Sequence, residues 1–279
     1  MSSPVIAMRP AEPVARAKNL MLRHGIKRLV IIDQGEAVGI VSMKDLAERL
    51  GRGASTWRRR PIDRIPIARV MSAKPITTSP NTSLSKAADI MLKHGISGLI
   101  ITEGRRLRGI LTKTDLTRFF ANRLKGHVRV RELMTKKVIT ARRRHSISHI
   151  VELMEHNNIS RVVIEDGKKP IGIITASDVA FAQLETPARG IAQRRVRFTR
   201  KPRPAERPRY RYVKYIALLT AEDIMKPDLL TIESEEDAAR AAELMLEHGI
   251  SGLPVVERGE LAGIITKTDL TKGIRRLGF

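Results

Sequence analysis

The sequence predicts an α/β (α+β) protein made of four copies of one β-α-β-β-α unit, arranged as two pseudo-symmetric pairs with basic extended inserts. The first observation is a motif, Gly-apolar-apolar-(Ser/Thr)-x-x-Asp, that occurs as Gly39 to Asp45, Gly109 to Asp115, Gly172 to Asp178 and Gly263 to Asp269. The second is a partner signature fifteen residues before each glycine: His24-Gly-Ile, His94-Gly-Ile, Asn157-Asn-Ile and His248-Gly-Ile. Met21, Met91, Met154 and Met245 stand three residues earlier still. One internal spacing kept four times is a structural repeat, so the fold question reduces to one unit.

Each element of that unit follows from local pattern. In the second repeat Leu84, Ala87, Ala88, Met91 and Leu92 fall at i, i+3, i+4, i+7 and i+8, one buried stripe of a helix. The stripe returns as Ile147, Ile150, Val151 and Met154, and as Ala238, Ala241, Ala242, Met245 and Leu246. Glycine, or asparagine in the third repeat, supplies the left-handed residue that stops the helix. Two short apolar runs follow, such as Leu99-Ile-Ile and Gly109-Ile-Leu, parted by a polar turn and too short for anything but strands. A last helix opens at the Ser/Thr-x-x-Asp.

The repeats sort into two types. The second and fourth share Gly-Ile-Ser-Gly-Leu (Gly95 to Leu99, Gly249 to Leu253) and Thr-Lys-Thr-Asp-Leu-Thr (Thr112 to Thr117, Thr266 to Thr271). The first and third carry Arg28 and Arg161 where those have Gly98 and Gly252. The duplicated object is therefore a pair, the first repeat with the second and the third with the fourth. Repeat 1 spans 1–50, followed by a basic insert at 51–69. Repeat 2 with its basic connection takes 70–131 and repeat 3 takes 132–184; an Arg/Pro/Tyr-rich arm at 185–221 leads to repeat 4 at 222–279.

Over residues 1–50, 70–124, 132–184 and 222–273 the pattern resembles the cystathionine-β-synthase-type (CBS) domain family, whose units pack in pairs through their sheets. The first repeat diverges most, with Ile6-Ala-Met where the others have Ile76-Thr77, Ile139-Thr140 and Leu230-Thr231.

Composition narrows the function. A net charge of +23 and a pI near 11.1 point to a polyanionic partner. The absence of cysteine removes disulfides, thiolate nucleophiles and Cys-metal sites together. No apolar run reaches the length of a membrane span and the N-terminal residues lack a secretory core, so the expectation is a soluble cytoplasmic protein with no membrane partner.

The charge is unevenly spread. Residues 51–69 hold six basic and one acidic residue (+5), 103–145 fourteen and three (+11), and 189–214 eleven and one (+10). Residues 222–279 hold seven basic and twelve acidic (−5), so the fourth repeat is expected to face away from a polyanion. Candidate RNA contacts are Trp57, Arg58, Arg59 and Arg60, the run Arg142, Arg143 and Arg144, and the arm's Arg194, Arg195, Arg197, Arg200, Lys201, Arg203, Arg207, Arg209, Tyr210, Arg211, Tyr212 and Lys214. Arginine forks suit phosphate oxygens, and flat rings stack on exposed bases. Pro202, Pro204 and Pro208 bar one continuous helix there. A solvated loop is the plain alternative.

At each strand-to-helix turn the exposed amides favour a phosphate. Ser42, Thr112, Thr175 and Thr266 can donate hydroxyls to it, while Asp45, Asp115, Asp178 and Asp269 accept from ribose hydroxyls. The CBS resemblance implies AMP, ADP or ATP as the ligand there, with no cofactor required. The same residues also form a capping box that serves a helix with no ligand at all. Lys44, Lys113 and Lys267 add a phosphate cation that Ala176 lacks, and Gly98 and Gly252 lack the basic group of Arg28 and Arg161, so at least one pocket is expected to be degenerate.

No P-loop, nucleophile elbow or His-Glu-x-x-His appears, so the chain is read as a non-enzyme. His145 and His149, four apart, are expected to share a helical face without a third metal ligand. The resulting expectation is a factor that binds ribosomal subunits through rRNA and occludes their functional sites, resembling archaeal CBS-type ribosome hibernation factors. The rival is an AMP/ATP energy-sensing module acting on a protein partner. A DNA-binding regulator is a third reading, without a helix-turn-helix segment to support it.

Overall fold

The computed structural model describes residues 1–43, 45–46, 62–179 and 219–279. The chain repeats one arrangement four times. Repeat 1 contains β1 (Ala7–Met8), α1 (Val14–Arg23), β2 (Arg28–Asp33) and β3 (Glu36–Ser42). After β4 (Ser72–Ala73), repeat 2 contains β5 (Thr77–Thr78), α2 (Leu84–Lys93), β6 (Gly98–Glu103), β7 (Arg106–Thr112) and α3 (Lys113–Arg123). Repeat 3 contains β8 (Thr140–Ala141), α4 (Ile147–His156), β9 (Arg161–Asp166) and β10 (Lys169–Thr175). Repeat 4 contains β11 (Ile232–Glu233), α5 (Ala238–Glu247), β12 (Gly252–Glu257), β13 (Glu260–Thr266) and α6 (Lys267–Leu277).

In every repeat the two long strands form an antiparallel hairpin, and the short first strand joins its first strand in parallel. The helix between them crosses over with its apolar stripe down: Ala87, Ala88 and Met91 of α2 are fully buried, as are Ala238, Ala241, Ala242 and Met245 of α5. Helix ends follow the sequence rule, with Gly25, Gly95, Gly249 and Asn158 all at positive φ.

Pairing is reciprocal. Ser2, leading into repeat 1, bridges to Ile110 of repeat 2, while Ser72 and Ala73, leading into repeat 2, pair with Ile40 and Gly39 of repeat 1. Thr135 bridges to Ile264 and Lys226 to Ile173 in the same manner. These crossed strands join the first repeat to the second and the third to the fourth, as the repeat types predict. A small cluster of Val30, Ile100 and Ile110 fills the space between the sheets of the first pair.

The two pairs meet through repeats 2 and 4. Helix α2 packs on α6, and α3 packs on both α5 and α6. One hydrophobic core runs through both repeats and includes Phe120, Leu116, Met91, Met245, Leu270 and Ile274, whereas repeats 1 and 3 keep cores of their own. Gly273, inside α6, allows the close approach: a Cβ there would lie 3.0 Å from the Phe120 ring.

Candidate ligand-binding turns and the cations between them

All four Ser/Thr-x-x-Asp turns close in one way. The aspartate Oδ2 accepts from the backbone N–H of Ser42, Thr112, Thr175 and Thr266 at 2.7, 2.8, 2.8 and 3.0 Å, and from their hydroxyls at 2.6 or 2.7 Å. Each hydroxyl oxygen in turn accepts from the aspartate N–H at 3.2 to 3.4 Å. The turn is thus a complete capping box without any ligand. The second carboxylate oxygen, Oδ1, distinguishes the copies. On Asp269 it meets Lys272 at 2.9 Å and the Thr135 hydroxyl at 3.4 Å. On Asp178 it meets Lys226 at 3.2 Å, and on Asp115 it meets Arg118 at 3.4 Å. Asp45 forms no ion pair among the described residues.

The lead-in segments are the part of the site that sequence reasoning missed. Met1, Met71, Met134 and Met225 stand at one offset before their own motif glycines, yet each lies on the glycine of its pair-mate. A Cβ at Gly39, Gly109, Gly172 or Gly263 would come within 2.5 to 2.9 Å of the sulfur of Met71, Met1, Met225 or Met134. The residue after the methionine then reaches the neighbouring turn, as Thr135 does at Asp269 and Lys226 at Asp178. Lys226 therefore brings a cation to the repeat in which Ala176 provides none. The constant methionine offset was the available signal.

The basic groups that Arg28 and Arg161 offer where the other repeats have Gly98 and Gly252 have hydrogen-bond partners within the fold. Each crosses its pair axis into the gap left by the partner glycine. Arg161 donates through Nη1 to the Ser251 carbonyl at 2.7 Å and through Nη2 to the Ser251 hydroxyl at 2.8 Å, and a Cβ at Gly252 would collide with it. Arg28 donates to the Ser97 hydroxyl, and its Cδ lies 2.9 Å from a Cβ built at Gly98. Burial pushes the Arg161 guanidinium down to about 10 against the opposing pull of Asp269, and lowers Arg28 against that of Asp45.

Lys113 and Lys267 meet across the contact between pairs. Lys113 Nζ donates to the Thr268 hydroxyl at 3.0 Å, and Lys267 Nζ donates to the Thr114 hydroxyl at 3.1 Å. Burial, then repulsion from Arg28, moves Lys113 down to about 8. Burial and the charges of Lys27, Arg161 and Arg28 do the same to Lys267.

The candidate RNA contacts are divided. Trp57, Arg58, Arg59, Arg60 and all the arm residues from Arg194 to Lys214 lie outside the described residues, as does Lys44. Of the triple run, Arg143 sits 3.9 Å from both Asp166 and Glu222, while Arg142 and Arg144 are exposed without an ion pair among the described residues. Part of the charge counted over 103–145 is met internally. Arg129 and Arg131 clamp Glu235, Lys125 approaches Glu243, and Arg105 pairs with Glu36 at 3.1 Å. The acidic fourth repeat thus takes up the basic connection. His145 precedes the helix that opens after Ser146, so it does not share a helical face with His149; their rings stack edge-on at 4.7 Å.

The CBS domain matches residues 1–52, 67–122, 130–185 and 221–276. The chain belongs to the CBS domain family. Among CBS-domain relatives, the uncharacterized protein MJ1404 of Methanocaldococcus jannaschii is 28% identical over 283 residues, covering 99% of this chain and 61% of its own length. The chain therefore spans less than two thirds of that relative. MJ1225 of the same organism, described in its structure as a proposed archaeal homologue of g-AMPK, superposes with a TM-score of 0.75 at 21% identity, covering 98% of this chain and 97% of its own. An uncharacterized 33.4 kDa protein in the ribosomal RNA operon of Thermofilum pendens is 25% identical over 92% of this chain and 83% of its own. No helix among the described residues is long and apolar enough to cross a membrane.

Proposed function

We propose that this CBS-domain chain is a non-catalytic regulatory protein whose clefts take adenine nucleotides and whose nucleotide state controls a macromolecular partner. The reading is carried by the repeated composite turn: a Ser or Thr hydroxyl and an Asp carboxylate at a helix N-terminus, covered by the lead-in strand of the pair-mate. The hydroxyl now donates to Oδ2; turning it toward a phosphate would leave the carboxylate free to accept from ribose hydroxyls. A ligand therefore exchanges hydrogen bonds with the cap rather than meeting an idle site. Family membership and the g-AMPK likeness named for MJ1225 support adenine over other bases.

The test is a thermal-shift series with AMP, ADP, ATP and GMP on protein stripped of nucleic acid in high salt. The expected result is a saturable rise in melting temperature with one or more adenine nucleotides and less with GMP. No shift with any adenine nucleotide overturns the reading.

A second reading, in which the partner is ribosomal RNA and the protein occludes ribosomal subunits, is favoured by the +23 charge and by the exposed Arg142 and Arg144, which form no ion pair among the described residues. Charge does not choose among polyanions, and several arginines counted toward it are paired internally, so this reading stands second. Co-migration with ribosomal subunits on sucrose gradients, lost steeply as salt rises, is its expected signature. Migration at the top of a low-salt gradient contradicts it.

A further inference from the structure

We infer that Lys226 is a built-in latch on the third Ser/Thr-x-x-Asp turn: its ammonium holds Asp178 where ribose hydroxyls would bind, so this turn disfavours the nucleotide that open turns of the chain admit. The inference deepens the nucleotide reading and rests on it for the identity of the ligand.

The observation is a substitution at a covering position. The residue after each lead-in methionine is Ser2, Ser72, Thr135 or Lys226, three small hydroxyl residues and one cation. Thr135 reaches Oδ1 of Asp269 with its hydroxyl at 3.4 Å, a long neutral contact that a ribose hydroxyl replaces in kind. Lys226 reaches Oδ1 of Asp178 at 3.2 Å with a full charge, and Oδ2 of that carboxylate already accepts from the Thr175 N–H and hydroxyl. Both carboxylate oxygens are thus engaged. A neutral ribose hydroxyl that displaced the ammonium would exchange a charge-assisted contact for a weaker one.

Lys272 and Arg118 also meet their aspartates, Asp269 and Asp115, but they stand three residues on along the same helix and move with the turn. Lys226 comes instead from the pair-mate's lead-in strand. Its N–H donates to the Ile173 carbonyl at 3.2 Å, and the Met225 sulfur lies 2.8 Å from a Cβ built at Gly172, so only the side chain is free to swing away. The third repeat also has Ala176 where the second and fourth have Lys113 and Lys267, whose ammonium groups turn to Thr268 and Thr114 rather than to their own aspartates. The third turn alone therefore takes its cation onto the carboxylate from across the pair. Lys27, the other cation near Asp178, forms no ion pair with it among the described residues.

Lys226 is itself 65% exposed, so the latch is a modest one. Its test is equilibrium dialysis of labelled AMP against the full chain, comparing wild type with K226T, which installs the residue type of Thr135; thermal melts check that each variant folds. K226T is expected to bind AMP about fivefold more tightly at this turn, seen as extra nucleotide bound per chain, and K226Q to shift in the same direction. K226T/D178N is expected to lose the gain, and the surface variant K168Q to bind as wild type does. The sign decides, because loss of a cation by itself weakens binding of an anionic nucleotide. Less AMP bound by K226T would identify Lys226 as a phosphate ligand and overturn the latch, as would a gain that survives D178N. Wild-type binding with no gain in K226T overturns the latch and leaves the nucleotide reading standing. A gain in K226T that needs Asp178, where wild type binds nothing, supports the latch and sinks the wild-type reading. No binding by either chain sinks both.

Discussion

Arg161 and Gly252 show how much a single residue depends on a partner in another repeat. The sequence displays the alternation of Arg and Gly as a difference in type, and the fold turns it into a fit of one side chain into the space the other leaves. Nothing in either repeat's own periodicity encodes that fit, because the partners lie ninety-one residues apart. The same holds for Met134 on Gly263. Gly263→Ala forces its Cβ against both the Met134 sulfur at 2.7 Å and the Thr135 carbonyl at 3.1 Å, and is expected to cost about 1–3 kcal/mol in urea unfolding. A neutral result would mean that the crossed strand is not packed there.

The two lysines give a pH signature at the same scale. Their pKa values near 8 lie below the ordinary 10.5, so the unfolded chain binds more protons between those limits and stability rises with pH there. Below about pH 8 both states are charged and the full cost of holding Lys113 and Lys267 is present. Ligand-free wild type at low salt should therefore gain melting temperature relative to K113Q/K267Q as pH moves from 8 toward 10. Parallel curves would show that Arg28, Arg161, Lys272, Lys27 and Arg118 do not press on these groups.

Among elements, the helices were the most legible. Periodic stripes such as Ala87, Ala88 and Met91 have no alternative burial, and a Gly or Asn at the helix end marks the stop. The capping box was legible as well, since its four atoms lie within four consecutive residues. The crossed strands were not: β4 is two residues long and carries no alternation to read. Thr266→Ala removes the hydroxyl from the α6 cap and is expected to cost about 1 kcal/mol, with Thr266→Ser near neutral. Circular dichroism melts of the two variants check this. If both are neutral, the turn is held by its strands rather than by its cap.

For the whole molecule, four units and their pairing could be read from repeat types, whereas the route by which pairs join could not. That contact uses α2, α3, α5 and α6, whose outward faces in a single repeat look like any other buried stripe. Because repeats 2 and 4 share one core, Phe120→Ala should cost about 3–5 kcal/mol and loosen α6 as well as α3. Hydrogen exchange would show this as lost protection in both helices, and loss confined to residues 113–123 would contradict the shared core. The charge map was legible only as a sum: the docking of Arg129 and Arg131 on Glu235 requires knowing that the connection lies along repeat 4.

Equilibrium dialysis of the full chain against labelled AMP and ATP tests the central claim most directly. The account predicts saturable binding that weakens when Asp45, Asp115, Asp178 and Asp269 are changed singly to Asn at the occupied turns. Folded protein that retains no labelled nucleotide at any concentration would contradict it.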